Sequence, residues 1–122
     1  MAKICIDLDM LLSYLLGEKS VVEKINQYIE KEELSITSLT LAELGLTVED
    51  KETVIKISTL FNVLPFDERA ATKAWELYRI VAEERKPKFR IIYNAAIAIV
   101  NDAFFLTKDR MSYADIPGLK LI

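Results

Sequence analysis

The 122-residue sequence predicts an α/β domain whose mainly parallel sheet of four to five strands is flanked by helices. Short runs of consecutive apolar residues, typical of strands buried on both faces, alternate with longer segments in which apolar residues recur every three to four positions. Strands that alternate with amphipathic helices indicate a parallel sheet covered on both faces. The length suits one core and is too short for two, so a single domain over residues 1–122 is expected.

The first half of the chain is predicted to contain two strands and four helices. Three consecutive apolar residues, Ile4, Cys5 and Ile6, predict the first strand. Two Ser/Thr-x-x-Glu patterns, beginning at Ser20 and Thr40, are typical of capping boxes and predict that helices start there. The predicted elements are a strand at 3–7, a helix over 9–16 stopped by Gly17, a helix over 20–30, a strand at 34–37, a helix from about residue 40 and a helix over about 50–61.

The second half alternates strands and helices in the same way. The helix over 67–84 is predicted from a single apolar stripe, whereas the helix over 91–101 is apolar on nearly every side and is expected to be buried. Between them, Pro87 interrupts a basic connector at 84–90. The predicted strands of this half are a short one at 63–64, one at 104–106 and a closing edge strand at 119–122.

Composition excludes several kinds of chemistry. The chain has no histidine, so Ser-His-Asp and Cys-His catalysis and His-ligated zinc are excluded. Its one cysteine, Cys5, cannot form an internal disulfide and is expected to be buried and inert. The net charge of -3 argues against general nucleic-acid binding but leaves room for a local basic patch. No signal-peptide pattern and no apolar run near the ~20 residues of a membrane span is present, so a cytoplasmic protein without a membrane partner is expected.

Carboxylates follow three of the predicted strands. Asp7 and Asp9 come after the first strand, Glu43 is expected in the first turn of the helix after the second, and Asp109 follows the strand at 104–106. In open α/β sheets, ligands bind beyond the carboxyl ends of the strands. We therefore expect these four acids at one rim of the sheet.

Several segments, in order, resemble the motifs of PIN-domain ribonucleases, and among these the short VapC-type toxins. The resemblance extends over almost the whole chain, and each motif is weak alone while the ordered set is specific. The segments are Ile-Asp-Leu-Asp-Met-Leu-Leu at 6–12, Thr-Leu-Ala-Glu-Leu at 40–44, Asn-Ala-Ala-Ile-Ala at 94–98, Leu-Thr-Lys-Asp at 106–109 and the ending Ile-Pro-Gly-Leu-Lys-Leu-Ile at 116–122.

The resemblance implies a three-layer α/β/α PIN-like domain and a metal-dependent endoribonuclease. It implies that Asp7, Glu43 and Asp109 are catalytic and bind Mg²⁺ or Mn²⁺. Divalent ions suit phosphodiester hydrolysis because they supply a nucleophilic water and neutralise the leaving oxygen. The resemblance further implies an RNA substrate, an antitoxin protein as partner, and a homodimer. Thr107 is expected to support the site by bonding a neighbouring carboxylate.

Asn94 departs from the family pattern, because it stands where the third motif has an acid. Its carbonyl oxygen could still be a metal ligand, but it brings no negative charge, and hard cations bind best to anionic oxygens. The departure implies weak binding of a second ion, or an inactive site. Asp9 stands where the family usually has Asn, which suggests the hypothesis that Asp9 supplies the charge missing at Asn94 and is also a metal ligand.

Basic residues near the predicted rim are candidates to hold the RNA backbone, since phosphate contacts are made mainly by Lys and Arg. A solvated surface with no ligand is an equally simple interpretation of the connector. The candidates are Lys86, Lys88, Arg90, Lys108 and Arg110.

Other interpretations remain open at this point. Asp7 has the position of a helix cap, and Asn94 could be a buried amide satisfied by backbone hydrogen bonds. The chain could be a PIN-like module that has lost catalysis and binds RNA or protein. A phosphorelay receiver domain is a more distant alternative, with Asp50 as the phosphoacceptor and Lys108 as its late lysine.

Overall fold

The computed structural model describes residues 2–81 and 83–122. In these residues one sheet of five strands, all parallel, has the order β3-β2-β1-β4-β5. The predicted strands are all present, and none of the pairings is antiparallel. The strands are β1 (Lys3–Ile6), β2 (Glu33–Thr37), β3 (Asn62–Leu64), β4 (Phe104–Leu106) and β5 (Lys120–Leu121).

Seven α-helices connect and cover the strands in the described part of the chain. They are α1 (Leu8–Leu15), α2 (Lys19–Lys31), α3 (Ser38–Thr47), α4 (Lys51–Leu60), α5 (Glu68–Ile80), α6 (Phe89–Val100) and α7 (Arg110–Tyr113). The helix predicted over 67–84 ends at Ile80, and Ala82 lies outside the described residues. A short 3-10 turn, Glu83–Arg85, forms part of the predicted connector. The sequence did not predict α7, because four residues are too few to show a helical repeat.

Both predicted capping boxes were wrong. In α2, Lys19 is already helical, so Ser20 lies inside the helix and the cap position falls on Glu18, without a side-chain hydrogen bond. In α3 the cap is Thr37, whose hydroxyl accepts a hydrogen bond from the Thr40 N–H at 3.0 Å. A hydroxyl at the end of a strand has the extended backbone that a cap needs, so the helix starts directly after the strand.

The sheet separates two apolar cores, which gives the three-layer α/β/α arrangement predicted from the sequence. Successive side chains of β1 point to opposite faces, as the pleat requires. Cys5 therefore packs with α5 and α6, whereas Ile4 and Ile6 pack in the other core with residues of α1 to α4. As predicted, α6 is largely buried and Cys5 is a buried free thiol.

The central position of β1 decides where a site can form. β1 pairs with β2 on one side and β4 on the other, with Cys5 opposite Ser35 and Phe105. Because the strands are parallel and in this register, the residues that follow β1, β2 and β4 meet at one edge of the sheet. Along the sheet, the chain order runs outward from β1 to β2 and β3 on one side and from β1 to β4 and β5 on the other. Open α/β sheets form a ligand-binding crevice where the strand order reverses in this way. In the described part of the chain, no helix is both long enough and apolar enough to cross a membrane.

Candidate functional site

Asp7 is the centre of the candidate site. It follows β1 directly, and the residue is only 2% exposed. One carboxylate oxygen, Oδ1, accepts a hydrogen bond from the Leu8 N–H at 2.8 Å, so Asp7 caps α1 as the alternative interpretation expected. Capping is not the only role of this carboxylate, because both of its oxygens also have other hydrogen-bond partners.

Thr107, at the end of β4, joins Asp7 to Asp9. Its hydroxyl donates to Oδ2 of Asp7 at 2.8 Å and lies 3.2 Å from Oδ2 of Asp9. The Lys108 N–H donates to the same Asp9 oxygen at 3.0 Å. Burial, and then the nearby charge of Asp7, raise the pKa of the Asp9 carboxyl above its ordinary value. The Thr107 hydroxyl thus makes a hydrogen bond to a neighbouring carboxylate, as the sequence led us to expect.

Arg90, in the first turn of α6, links Asp7 to Glu43. Its Nη2 lies 3.3 Å from Oδ1 of Asp7, and its Nε donates to Oε1 of Glu43 at 3.2 Å. Burial alone would lower the pKa of the guanidinium, but the charges of Asp7 and Glu43 help to raise it. Arg90 was predicted as a candidate to hold the RNA backbone, and in the described structure its guanidinium contacts two acids.

Asn94 lies below this cluster and is fully buried. Its carbonyl oxygen accepts a hydrogen bond from the Thr37 hydroxyl at 2.6 Å, so the partner is a side chain and not the backbone. That oxygen, which was predicted to be a metal ligand, therefore has a partner within the protein. The Asn94 amide nitrogen has no hydrogen-bond partner in the described structure.

Tyr113, at the end of α7, is the buried neighbour of Asn94. Its hydroxyl also lacks a partner within hydrogen-bonding geometry among the described residues. Burial and the charge of Asp7 raise the pKa of the phenol well above its usual range, although the nearby Arg90 and Asn94 side chains work in the opposite direction. Two uncharged polar groups, both buried and incompletely bonded, thus lie close to the acids.

Asp109 does not join the other acids directly. It is exposed and caps α7, where its carboxylate accepts a hydrogen bond from the Ser112 N–H at 3.4 Å. Its own N–H donates to the Thr107 hydroxyl at 3.1 Å, which places it one hydrogen bond from the cluster. Within residues 2–81 and 83–122, no three acidic or cysteine side chains lie close enough together to hold one metal ion as they stand.

A cleft of about 440 Å³ adjoins the acids. Arg90 and Asp109 both line it, and so does much of the predicted basic connector, including Arg85, Lys86 and Lys88. The cleft therefore connects the acidic cluster with positive charge on the surface.

Four of the five predicted RNA-binding cations have partners within the protein, and Arg90, described above, is one of them. Lys86 donates to the backbone carbonyls of Tyr78 and Val81, at the end of α5. Lys108 and Arg110 also have partners within the protein. Lys108 bonds Ser13 and Glu18, and Arg110 donates to the carbonyl of Ile122 at 2.6 Å. Of the predicted set, this leaves Lys88 in the cleft as the cation without a bonded partner among the described residues.

Two residues of the site were not found from the sequence. Thr37 is the last residue of β2, and Asp7 directly follows β1, so the position of Thr37 at a strand end was a usable signal. Tyr113 gave none, because it belongs to α7, which is too short to show a pattern. Its ring packs against Phe105 of β4, with 4.6 Å between the ring centroids.

The receiver-domain alternative was wrong. A phosphoacceptor must follow a central strand, whereas Asp50 follows α3 and caps α4. Its carboxylate accepts hydrogen bonds from Glu52 N–H and the Thr53 hydroxyl, each at 3.0 Å, on the exposed surface.

Comparison with known proteins identifies the fold. No protein-family model and no curated protein matches the sequence. Among solved structures, a DNA-bound VapBC from Salmonella typhimurium is 20% identical with a TM-score of 0.81, and the match covers 100% of this chain and 98% of that one. VapBC2 from Rickettsia felis, bound to a DNA fragment of its promoter, is 17% identical with a TM-score of 0.78 over 98% of this chain and 97% of that chain. FitAcB from Neisseria gonorrhoeae is 22% identical with a TM-score of 0.73 over 98% and 96%. The chain therefore has the three-layer α/β/α PIN-like fold of the VapC-type toxin structures.

Proposed function

We propose that the protein is a PIN-domain toxin that hydrolyses RNA phosphodiesters with Mg²⁺ or Mn²⁺. The observation that supports this most directly is the convergence of Asp7 and Glu43 on one positive charge, the Arg90 guanidinium, at 3.3 and 3.2 Å. Two carboxylates from different elements, one of them buried, thus already share a cation. Carboxylate oxygens are the preferred ligands of both metal ions, so the residues present fit such an ion.

Each residue of the cluster has a distinct part in this proposal. When bound, the metal ion supplies a nucleophilic water at neutral pH and neutralises the leaving oxygen. Asp7 and Glu43 hold the ion, Asp109 approaches from the adjoining cleft, and Thr107 fixes the orientation of Asp7. Lys88 contributes positive charge for the RNA backbone in the cleft.

Asp9 is proposed to supply the charge that Asn94 lacks. The Asp9 carboxylate contacts the Thr107 hydroxyl that also bonds Asp7, whereas the carbonyl oxygen of Asn94 accepts a hydrogen bond from Thr37. Titration calorimetry with Mn²⁺ tests this. The Asp9→Ala variant should bind the ion more weakly than wild type, and an unchanged affinity would rule the exchange out.

The nuclease proposal is tested by RNA cleavage with Mn²⁺ in wild type, Asp7→Asn and Asp50→Asn. Both aspartates cap helices, and Asn is an equally good cap, so the two variants have matched effects on helix stability. Asp7→Asn should lose activity by at least roughly 100-fold, as expected when a charged ligand of a catalytic metal is neutralised, while Asp50→Asn should retain it. Equal activity in all three proteins would contradict the proposal.

A second candidate, a PIN-like binding module without catalysis, is favoured by one observation. Asn94 brings no charge, and its carbonyl oxygen is bonded to Thr37. Such a module would bind RNA or protein, and RNA cleavage by wild type that depends on Asp7 would exclude it.

The proposed partners are an antitoxin protein and a second copy of the chain, in the cytoplasm. The solved structures of similar fold include VapBC complexes and a toxin–antitoxin complex from Klebsiella pneumoniae. Light scattering should give twice the mass of one chain, and co-expression with a candidate antitoxin should give a co-purifying complex. A monomer that no such antitoxin retains would contradict both.

A further inference from the structure

We propose that Arg90 is an internal cation that competes with the divalent ion for Asp7 and Glu43, so that metal binding requires the Arg90 side chain to move out into the adjoining cleft. This inference rests on the proposed metal-binding function and concerns how the same site is regulated. It makes the occupancy of the site depend on a residue that is not itself a metal ligand.

Both carboxylate oxygens of Asp7 already have hydrogen-bond partners, and these limit where a metal ion could bind. Oδ2 of Asp7 is bonded by Thr107, and Oδ1 faces both the Leu8 N–H and Arg90. An ion bound to Asp7 would therefore use Oδ1, which now faces the guanidinium, and Arg90 also holds Oε1 of Glu43. Because metal–oxygen bonds to Mg²⁺ are only about 2.0 to 2.1 Å long, the ion and the guanidinium cannot occupy this position together.

Local structure favours a movable Arg90. The residue lies in the first turn of α6, where the helix dipole disfavours positive charge, so its acid partners and not its own helix hold it there. Its side chain is 36% exposed and lines the cleft, so a path outward is open. The same cleft contains Asp109 and Asp115, which offer the displaced guanidinium alternative carboxylate partners.

The ion pair with Arg90 also explains how the buried Asp7 is tolerated before a metal ion binds. Asp7 is only 2% exposed, and burying a charged group without a partner is costly. Arg90 provides a positive charge beside Asp7, and it also pairs with Glu43, whose side chain is about one third exposed. The divalent ion would replace it in this role with a higher charge.

The test is calorimetric titration of Mn²⁺ alone, at neutral pH, into wild type, Arg90→Gln and Arg85→Gln. Both variants remove one positive charge from the same cleft, but only Arg90 contacts the acids. Arg90→Gln should bind Mn²⁺ roughly ten-fold more tightly than wild type, because no partly exposed ion pairs must first be broken. Arg85→Gln should stay within about two-fold of wild type, since it changes only the longer-range field. Equal affinities of the two variants, or weaker binding by Arg90→Gln, would overturn the proposal.

Arg90→Lys serves if Arg90→Gln does not fold, which thermal unfolding without metal would reveal. Lysine keeps the charge, but it has a single ammonium group, whereas two different nitrogens of Arg90 contact Asp7 and Glu43. The Arg90→Lys variant should therefore bind Mn²⁺ more tightly than wild type, by a smaller factor than Arg90→Gln. An affinity equal to wild type would count against the competition.

The outcomes also separate this proposal from the proposed nuclease function. If Arg90→Gln binds Mn²⁺ more tightly but no variant cleaves RNA, the competition holds and the nuclease proposal fails. If wild type cleaves RNA with Mn²⁺ and Arg90→Gln has wild-type affinity, the nuclease proposal holds and the competition fails. If no variant binds Mn²⁺, both fail.

Discussion

Replacing Asn94 by Asp is expected to destabilise the protein at neutral pH and to leave its stability almost unchanged near pH 4. Asn94 is fully buried beneath the acidic cluster, and its amide nitrogen has no hydrogen-bond partner in the described structure. An aspartate there would place a further carboxylate in a buried position near Asp7. Since burial and a nearby like charge both disfavour the ionised form, the new side chain would keep its proton in the folded state.

The structure sets the size of the effect. Holding a proton at pH 7 on a group whose unfolded pKa is about 3.9 costs about 4 kcal/mol, at about 1.4 kcal/mol per pH unit. The Thr37 hydroxyl can still donate to one oxygen, and the unpartnered Tyr113 hydroxyl lies beside the other. A hydrogen bond to the protonated side chain would contribute equally at pH 4 and pH 7, so it does not reduce the difference between them. The expected loss at pH 7 relative to pH 4 is therefore about 3.5 to 4 kcal/mol.

The sign of the pH dependence follows from the raised pKa. Below the unfolded pKa both states carry the proton, so the substitution has little effect on the free energy of unfolding. As pH rises, the unfolded state loses its proton first and is stabilised, so the loss grows until the folded pKa is reached. The matched control is Asn26→Asp, which makes the same change on the exposed surface of α2.

Urea unfolding at about pH 4, 5.5 and 7 measures this. Asn26→Asp should differ little from wild type at each pH. An equal loss for Asn94→Asp at pH 4 and pH 7 would mean that packing and not charge is responsible. No loss at pH 7 would mean that the site accommodates the charged form of the new aspartate at position 94. Either result would refute the reasoning.

Three further predictions concern single side chains. Thr107→Val should lower the free energy of unfolding by about 1.5 to 3 kcal/mol, because it removes a buried hydroxyl that donates to the charged Asp7; a loss below about 0.5 kcal/mol in urea unfolding would contradict this. Burial raises the pKa of the Cys5 thiol to about 12, so native protein should resist iodoacetamide at pH 8. Because the unfolded thiol ionises first, stability should also fall above pH 9 by about 1.4 kcal/mol per pH unit, a contribution that Cys5→Ala should remove; an unchanged alkaline slope in that variant would count against it. Lys86→Ala should cost about 1 kcal/mol, since Lys86 donates to the Tyr78 carbonyl at the end of α5. It should leave the salt dependence of RNA binding unchanged in fluorescence anisotropy, and a shallower slope would restore Lys86 as a phosphate contact.

The architecture could be predicted because it depends on patterns that each segment carries by itself. The apolar run at 4–6 is a central strand, and the segment 91–100 is a buried helix for the reason the sequence suggested, since it is apolar on nearly every side. Helix starts were less predictable. At Thr37 and Thr40, two hydroxyls three residues apart both suit a cap, and only the length of the preceding strand decides between them.

The site could be predicted only in part, because it depends on contacts between distant segments. The position of Asp7 and the support from Thr107 follow from strand ends that meet at one edge of a parallel sheet. The position of Arg90 depends on how α6 packs, since the same basic connector sends Arg90 to the acids and Lys86 to the end of α5. Nothing local in the sequence distinguishes these two cations, which are only four residues apart.

The helix-cap and active-site interpretations of the strand-end residues are not alternatives in this fold. Each of β1 and β2 leads directly into a helix, so the residue at the junction is a cap and also lies at the edge where ligands bind. Asp7 caps α1 and binds Thr107 and Arg90, and Thr37 caps α3 and binds Asn94. The positive ends of these helices favour negative charge at the same edge. A variant such as Asp7→Asn, which keeps the cap and removes the charge, therefore separates the two roles where an alanine substitution would remove both.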